Sequence, residues 1–290
     1  MLLGFDDYAE QSDRLAKALD MPLHIVERHR FPDGESRVGL PPALPERVVI
    51  CRSLDRPNEK LIELLLAART ARELGAKSLT LVAPYLCYMR QDKAFHPGEA
   101  VSQTIVGRFL ADLFDNLVTV DPHLHRVHDL RQAIPATAAL ALSASALMAA
   151  FLPARVDDPL VLGPDMESEQ WVRSVALPHR WDYAVCSKTR LGDESVEIEL
   201  PDKDFQGRSV VLVDDVASSG KTLLAAAQQC LARQASRVDV LVTHGLFLDD
   251  AERQLKQAGV THLWSTDSVT HDTNAIPLAD LLAEAVSSLA

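Results

Sequence analysis

The sequence predicts an α/β protein with two halves, each a mainly parallel sheet flanked by helices. Short apolar runs alternate with segments of helical spacing through the chain, the pattern of strands joined by crossover helices. The alternation restarts midway, so the architecture repeats although the sequence does not. At 290 residues and 47% hydrophobic content, the chain is long enough for two domains that each bury a core. The boundary falls within Ala136 to Ala154. It is set at domains 1–140 and 141–290, with the last helix free to pack back on the first domain.

In the first half, Met1 to Phe5 reads as a strand and Ala9 to Leu19 as a helix, with Leu15, Ala16 and Leu19 on one face. Leu23 to Val26 is the next strand. Pro32-Asp33-Gly34 is a turn in which Pro sets φ and Gly takes the positive φ. Phe31 beside it is either an exposed turn residue or part of the core. Arg47 to Cys51 is a strand. Asn58 to Leu74 is a helix with apolar Leu61, Leu64, Leu65, Ala68 and Ala71, stopped by Gly75. The strand Ser78 to Ala83 runs into Pro84 to Lys93. Ser102 is expected to cap a helix from Gln103 to Leu113, and Asn116 to Val120 is a strand. The apolar run Ala138 to Leu152 is shorter than the ~20 residues a bilayer needs and contains Ser143 and Ser145, so it reads as a buried helix.

In the second half, Leu160 to Gly163 is a strand, Ser168 to Ala176 a helix and Tyr183 to Cys186 a strand. Glu194 to Leu200 reads as a strand or ribbon, with Val196 and Ile198 alternating with charged residues. After the stretch described next come a strand at Val238 to Val242, a helix at Asp250 to Ala258, a strand at His262 to Ser265 and a helix at Leu278 to Leu289.

The chain is organised around Ser209 to Thr222. Val210 to Val213 reads as a buried strand, Asp214 and Asp215 stand where it should end, Ala217 to Gly220 form a small-residue loop, and Lys221 to Arg233 open a helix. Small side chains let an anion approach backbone N–H groups at the positive end of a helix dipole. Two adjacent carboxylates can accept hydrogen bonds from sugar hydroxyls or hold a metal, so a ribose phosphate fits. Ser219-Gly220-Lys221-Thr222 looks like the end of a Walker A loop, but the first glycine of that motif would fall at Asp215. The bland alternative is a strand–turn–helix with acidic capping residues.

A net charge of −12 with no basic run argues against a general nucleic-acid or membrane-surface binder. Cys51, Cys87, Cys186 and Cys230 are scattered, as reduced core residues of a cytoplasmic protein would be. Arg90 and Lys93, with Asp92, lie past a strand's carboxyl end, where open α/β sheets bind ligands. His123, His125 and His128 invite a metal reading, though histidine is also common in polar loops.

The Asp214-Asp215 loop resembles the fingerprint of the type I phosphoribosyl fold. Phe31-Pro-Asp-Gly-Glu35, Tyr88-Met-Arg-Gln-Asp-Lys93, Asp121-Pro-His123, Gly163-Pro-Asp165 and Lys188-Thr-Arg190 join it in order. Together they resemble the ribose-phosphate diphosphokinases, from Phe31 to about Thr270. Phe95 to Glu99 is similar to the archaeal and related branch. The resemblance implies two tandem phosphoribosyltransferase-like domains, transfer of the ATP pyrophosphoryl group to the 1-hydroxyl of ribose 5-phosphate, and release of AMP. It implies an ATP site of Phe31, Asp33 and Glu35, gripping adenine from a neighbouring subunit of a homo-oligomer, completed by Arg90, Gln91 and Asp92. It implies Mg²⁺ at His123 and Asp165, and ribose 5-phosphate at Asp214, Asp215, Ser218, Ser219, Gly220 and Thr222. Lys188 and Arg190, on a mobile loop, would stabilise the transition state.

Two departures stand out. The loop Ala217-Ser-Ser-Gly-Lys-Thr222 lacks the third acidic residue of the bacterial and mammalian synthetases. Glu167-Ser168 replaces their Gly-Gly after Asp165. The second departure keeps another sugar phosphate open as acceptor. A phosphoribosyltransferase would leave Phe31 to Glu35 and Arg90 to Asp92 without a task. A catalytically silent regulatory homologue would not need Lys188, Arg190, His123 and Asp165.

Overall fold

The computed structural model describes residues 1–124, 129–190 and 196–289, without the side chains of 188–190, 196 and 197. The chain divides into two units, Met1–Leu142 with Pro277–Ala290, and Ser143–Ile276.

The first unit begins β1 (Leu2–Gly4), α1 (Ala9–Ala18) and β2 (Leu23–Ile25), followed by a ribbon of β3 (Glu27–Arg30) and β4 (Ser36–Gly39). It continues β5 (Arg47–Cys51), α2 (Pro57–Glu73), β6 (Ser78–Val82), α3 (Ser102–Ala111), β7 (Asn116–Val120), α4 (Leu130–Ala133) and β8 (Ala138–Leu142). Six strands form one sheet in the order β2-β1-β5-β6-β7-β8, every pair parallel. Leu3, Ile50, Leu64, Leu81 and Leu117 sit in its core. The central strands are apolar on both faces because helices cover both sides.

The second unit runs α5 (Ser145–Phe151), β9 (Leu160–Gly163), α6 (Glu169–Ala176), β10 (Tyr183–Val185), then a ribbon of β11 (Ser187–Arg190) and β12 (Val196–Glu199). It continues β13 (Ser209–Ala217), α7 (Lys221–Ala232), β14 (Arg237–Gly245), α8 (Ala251–Gln257), β15 (Leu263–Thr266) and β16 (Asn274–Ile276). Its parallel sheet has the order β10-β9-β13-β14-β15-β16. The last helix, α9 (Ala279–Ser288), belongs to the first unit and packs on α1.

The two sheets share one topology. Each starts on its second strand, steps outward once, then reverses and fills the other side. An antiparallel ribbon follows the outer strand in both, β3–β4 in the first unit and β11–β12 in the second. Reversal opens a crevice at the carboxyl ends of β1 and β5, and of β9 and β13, which is where such sheets take ligands.

The structure corrects three expectations. Ala138–Leu142 is edge strand β8, paired to β7, and only Ser145–Phe151 is helical. An apolar run without a clear period suits either state, and here β7 had an open edge to fill. Ser102 is the first helical residue of α3 rather than its cap. β13 does not end before Asp214 but runs through both aspartates to Ala217, because β14 pairs with it out to Gly245.

Candidate active site

The second unit brings three acidic residues to the reversal point. Asp165 lies two residues past Gly163, the end of β9, and Asp214 and Asp215 lie near the carboxyl end of β13, the neighbouring strand. Asp165 is buried, and its Oδ1 accepts from the Glu167 N–H at 3.1 Å. The Ser168 hydroxyl donates to the Asp165 carbonyl at 2.6 Å. Asp215 is buried and Asp214 half-buried. Burial, then Asp215, then Asp165 push the Asp214 carboxyl well above the usual carboxylate range.

The small-residue loop follows. Gly220 takes φ 68°, a left-handed conformation that costs glycine little, and it turns the chain into α7. The N-cap residue Gly220 makes no side-chain cap bond to α7, and a helix start of this kind suits an anion. The far side of the loop is fixed: Phe247 N–H donates to the Ala217 carbonyl at 2.9 Å, and Leu248 N–H to that of Ser218 at 3.0 Å. Ser218 and Thr222 are half-buried, Ser219 exposed. The predicted ribose-phosphate residues thus fall on one strand end, one loop and one helix start.

The backbones of Lys188 and Arg190 lie in β11, opposite Ile198 and Val196 of β12. Their side chains lie outside the described residues, as do the loop residues 191–195. Ile198 and Leu200 are in the core, and the Gln229 amide of α7 donates to the Ile198 carbonyl, so this ribbon is held by packing.

In the first unit, Phe31, Asp33 and Glu35 form the turn of the β3–β4 ribbon. Phe31 is 40% exposed, with its ring edge-on to His29 at 4.7 Å. Phe31 N–H donates to the Glu35 carbonyl at 2.8 Å, Gly34 N–H to the Phe31 carbonyl at 2.9 Å, and Glu35 N–H to Asp33 Oδ1 at 3.1 Å. Gly34 has φ 95°, which the turn requires. Beside the turn, Gly34, Glu35, Ser36, Asn58, Glu59 and Ile62 line a cavity of about 430 Å³. Asn58 also accepts the hydroxyl of Tyr88, on the segment leading to Arg90.

Arg90 is exposed, and Gln91 and Asp92 are half-buried. Gln91 is held at both ends: its Oε1 accepts from the Ser102 hydroxyl at 2.8 Å, and its carbonyl from the Gln103 N–H at 3.2 Å. His123 is half-buried after β7, in the first unit, whereas Asp165 is in the second. His125 and His128 lie outside the described residues.

Sequence reasoning missed Arg28, Arg52 and Glu63, which form one ionic cluster behind the turn. The available signal was phase. Lys60 and Glu63 occupy core-facing positions of α2 along with Leu64, Ala67, Ala68 and Ala71.

Among the described residues, no group of three or more His, Cys, Asp or Glu is arranged to hold a metal ion. A hard cation that keeps waters and uses substrate phosphates needs only one or two carboxylates, and Asp165 with the Asp214–Asp215 pair offers that donor type. Among the described residues, no helix is long and apolar enough to cross a membrane.

Comparison with known proteins agrees with this layout. Residues 1–114 match the N-terminal domain of ribose phosphate pyrophosphokinase, and residues 177–289 match the phosphoribosyl synthetase-associated domain. The chain is 36% identical to the ribose-phosphate pyrophosphokinase of Methanopyrus kandleri, covering 100% of this chain and 99% of that one. It is 32% identical to that of Saccharolobus solfataricus, covering 96% of each. The fold matches the crystal structure of phosphoribosylpyrophosphate synthetase from Mycobacterium smegmatis with a TM-score of 0.84 at 23% identity, over 100% of this chain and 98% of that one. The chain therefore belongs to the ribose-phosphate pyrophosphokinase family.

Proposed function

We propose that this protein transfers the pyrophosphoryl group of ATP to ribose 5-phosphate, giving phosphoribosyl pyrophosphate and AMP. Full-length similarity to ribose-phosphate pyrophosphokinases supports the activity. The observation that carries the site is the pairing of acidic Asp165, Asp214 and Asp215 with the uncapped start of α7 at one sheet reversal. An anion-binding helix start beside carboxylates is complementary to a sugar phosphate.

In this reading the 5-phosphate takes the N–H groups and hydroxyls of Ser218, Ser219, Gly220 and Thr222, and the ribose hydroxyls donate to Asp214 and Asp215. Phe31 stacks on adenine while Asp33 and Glu35 accept from its exocyclic amine, with Arg90, Gln91 and Asp92 completing the ATP site. The 1-hydroxyl oxygen attacks the β-phosphorus and gives its proton to solvent, and the bond from that phosphorus to the α–β bridging oxygen breaks, so that oxygen leaves on AMP. Lys188 and Arg190 neutralise charge on the transferring group and on the leaving phosphate. Asp165 in the second unit would help hold Mg²⁺, which would supply charge neutralisation on the phosphates, and His123 is read separately as a metal-holding residue of the first unit. Adenine gripped across an interface requires at least a dimer, so a folded monomeric variant loses activity. The buried free cysteines support a reducing, cytoplasmic setting.

The test is a coupled assay of AMP and phosphoribosyl pyrophosphate with ATP, Mg²⁺ and ribose 5-phosphate, on wild type and Lys188→Ala. Both products from wild type, and a rate lower by about 100-fold or more in a folded variant, support the reading. ATP binding without AMP release on ribose 5-phosphate would redirect attention to Met166-Glu167-Ser168 and to other sugar phosphates.

A further inference from the structure

An isolated two-stranded ribbon is marginal in water. Among the described residues the β3–β4 ribbon pairs with no other strand, and of its sequence, Glu-Arg-His-Arg and Ser-Arg-Val-Gly, Val38 is the apolar side chain that packs on the core. Its counterpart β11–β12 is pinned by Ile198 in the core. In the first-unit ribbon Val38 packs against the core and Arg28 pairs with Asp6 and Asp7, and Glu63 of α2 ties both strands at once. Glu63 of α2, 6% exposed, accepts from the Ser36 hydroxyl of β4 on Oε1 at 3.0 Å. Its Oε2 accepts from Arg28 Nη1 of β3 at 2.9 Å. Each oxygen thus binds a different strand of the ribbon.

Glu63 is itself fixed from beneath. Arg52 Nη2, from the fully buried side chain that follows β5, lies 2.7 Å from Glu63 Oε2 and 2.8 Å from Asp7 Oδ2. The Arg52 guanidinium also lies 4.1 Å from the Phe5 ring centroid. The other ion pair from the ribbon to α2, Arg30 with Glu59, is more than half exposed on both sides, and pairs of that kind add little.

The geometry points to Glu63 as a positioning residue that sets the Phe31–Glu35 turn. This rests on the reading that the turn grips ATP. Ser36 adjoins the turn and Arg28 lies two residues before the turn-proximal Arg30, so an anchor on both strands this close to the tip fixes where Phe31 stands. Small misplacement of a binding group costs much in affinity or rate.

The experiment compares full-length wild type with Phe31→Ala, Glu63→Ala, Glu63→Gln, Ser36→Ala and the Phe31→Ala/Glu63→Ala double variant. It reads KM for ATP, KM for ribose 5-phosphate, kcat and thermal melting. Glu63→Ala is expected to raise KM for ATP about tenfold or more, with kcat and KM for ribose 5-phosphate within about threefold of wild type. Glu63→Gln, which still accepts from Ser36, recovers part of that loss. Ser36→Ala raises KM for ATP about threefold with an unchanged melt, and it decides the matter if Glu63→Ala does not fold. The double variant is no worse than the worse single variant.

Wild-type KM for ATP in Ser36→Ala and in a folded Glu63→Ala, with KM raised in Phe31→Ala, overturns the positioning role and leaves the ATP reading standing. Equal losses across kcat and both KM values also overturn it, as a general structural defect. An unchanged KM for ATP in Phe31→Ala removes the ATP reading of the turn, and the proposal falls with it.

Discussion

Asp165 and Asp214 interact across neighbouring parallel strands. Asp165 follows the end of β9, Asp214 lies near the end of β13, and after burial and Asp215, Asp165 is the next influence raising the Asp214 carboxyl. A group raised in this way is bound more easily by a proton in the folded chain than in the unfolded one. Its ionised form therefore costs stability once the pH exceeds the ordinary carboxylate range.

Asp214→Asn should remove that cost. The variant is expected to melt at a higher temperature than wild type, by about 2–4 °C for each kcal/mol relieved. The gain is largest above the raised Asp214 value and vanishes in acid below the ordinary carboxylate range, where both side chains are neutral. The same change should raise KM for ribose 5-phosphate several-fold, the loss of one hydrogen-bond acceptor worth about 1 kcal/mol. Melting curves across pH, with steady-state kinetics, check both.

Gly163→Ala tests the seat of Asp165. A Cβ at Gly163 would stand 2.2 Å from the Ser168 hydroxyl and 2.8 Å from a Val185 methyl. That hydroxyl donates to the Asp165 carbonyl, so relief of the clash displaces the turn carrying the carboxylate. Overpacking of this kind costs about 1–3 kcal/mol. A lower melting temperature and a higher divalent-ion requirement for activity are expected; an unchanged ion titration would separate Gly163 from the site.

Ser102→Ala removes the hydroxyl that holds Gln91. One neutral hydrogen bond is worth about 1 kcal/mol, so KM for ATP should rise several-fold with little change in melting. Unchanged ATP kinetics would mean that Gln91 needs no such support.

The thiols should be silent. Burial pushes Cys87, Cys186 and Cys230 up to about 12, leaving almost no thiolate at pH 8. A disulfide reagent is expected to label none of these three in the native protein and all of them in denaturant. Rapid native labelling of any one would show that its surroundings open.

Much of the candidate site in the second unit was legible because its signals are local. Four consecutive apolar residues, an acidic pair, small residues and a helical repeat need only short-range rules, and the loop, with Gly220 at its turn, follows them. From its residues alone the Phe31–Glu35 stretch was legible only as a turn, and its proposed ATP role came from the family resemblance. Phe31 could be exposed or buried on sequence grounds, since the choice depends on what lies behind the ribbon.

What the sequence determined by itself was the alternation of strands and helices, the repeated architecture and the strand–loop–helix around Asp214 and Asp215. Each depends on backbone propensity and hydrophobic period over a few residues. Tertiary structure alone decided that Ala138–Leu142 is a strand, because an open sheet edge supplies hydrogen bonds that no local period encodes. It likewise decided that β13 continues through its aspartates, because β14 pairs with it to Gly245. Glu63 joins Arg28, Ser36 and Arg52 for the same reason: they are apart in sequence, and packing α2 against the ribbon brings their polar atoms within hydrogen-bonding distance.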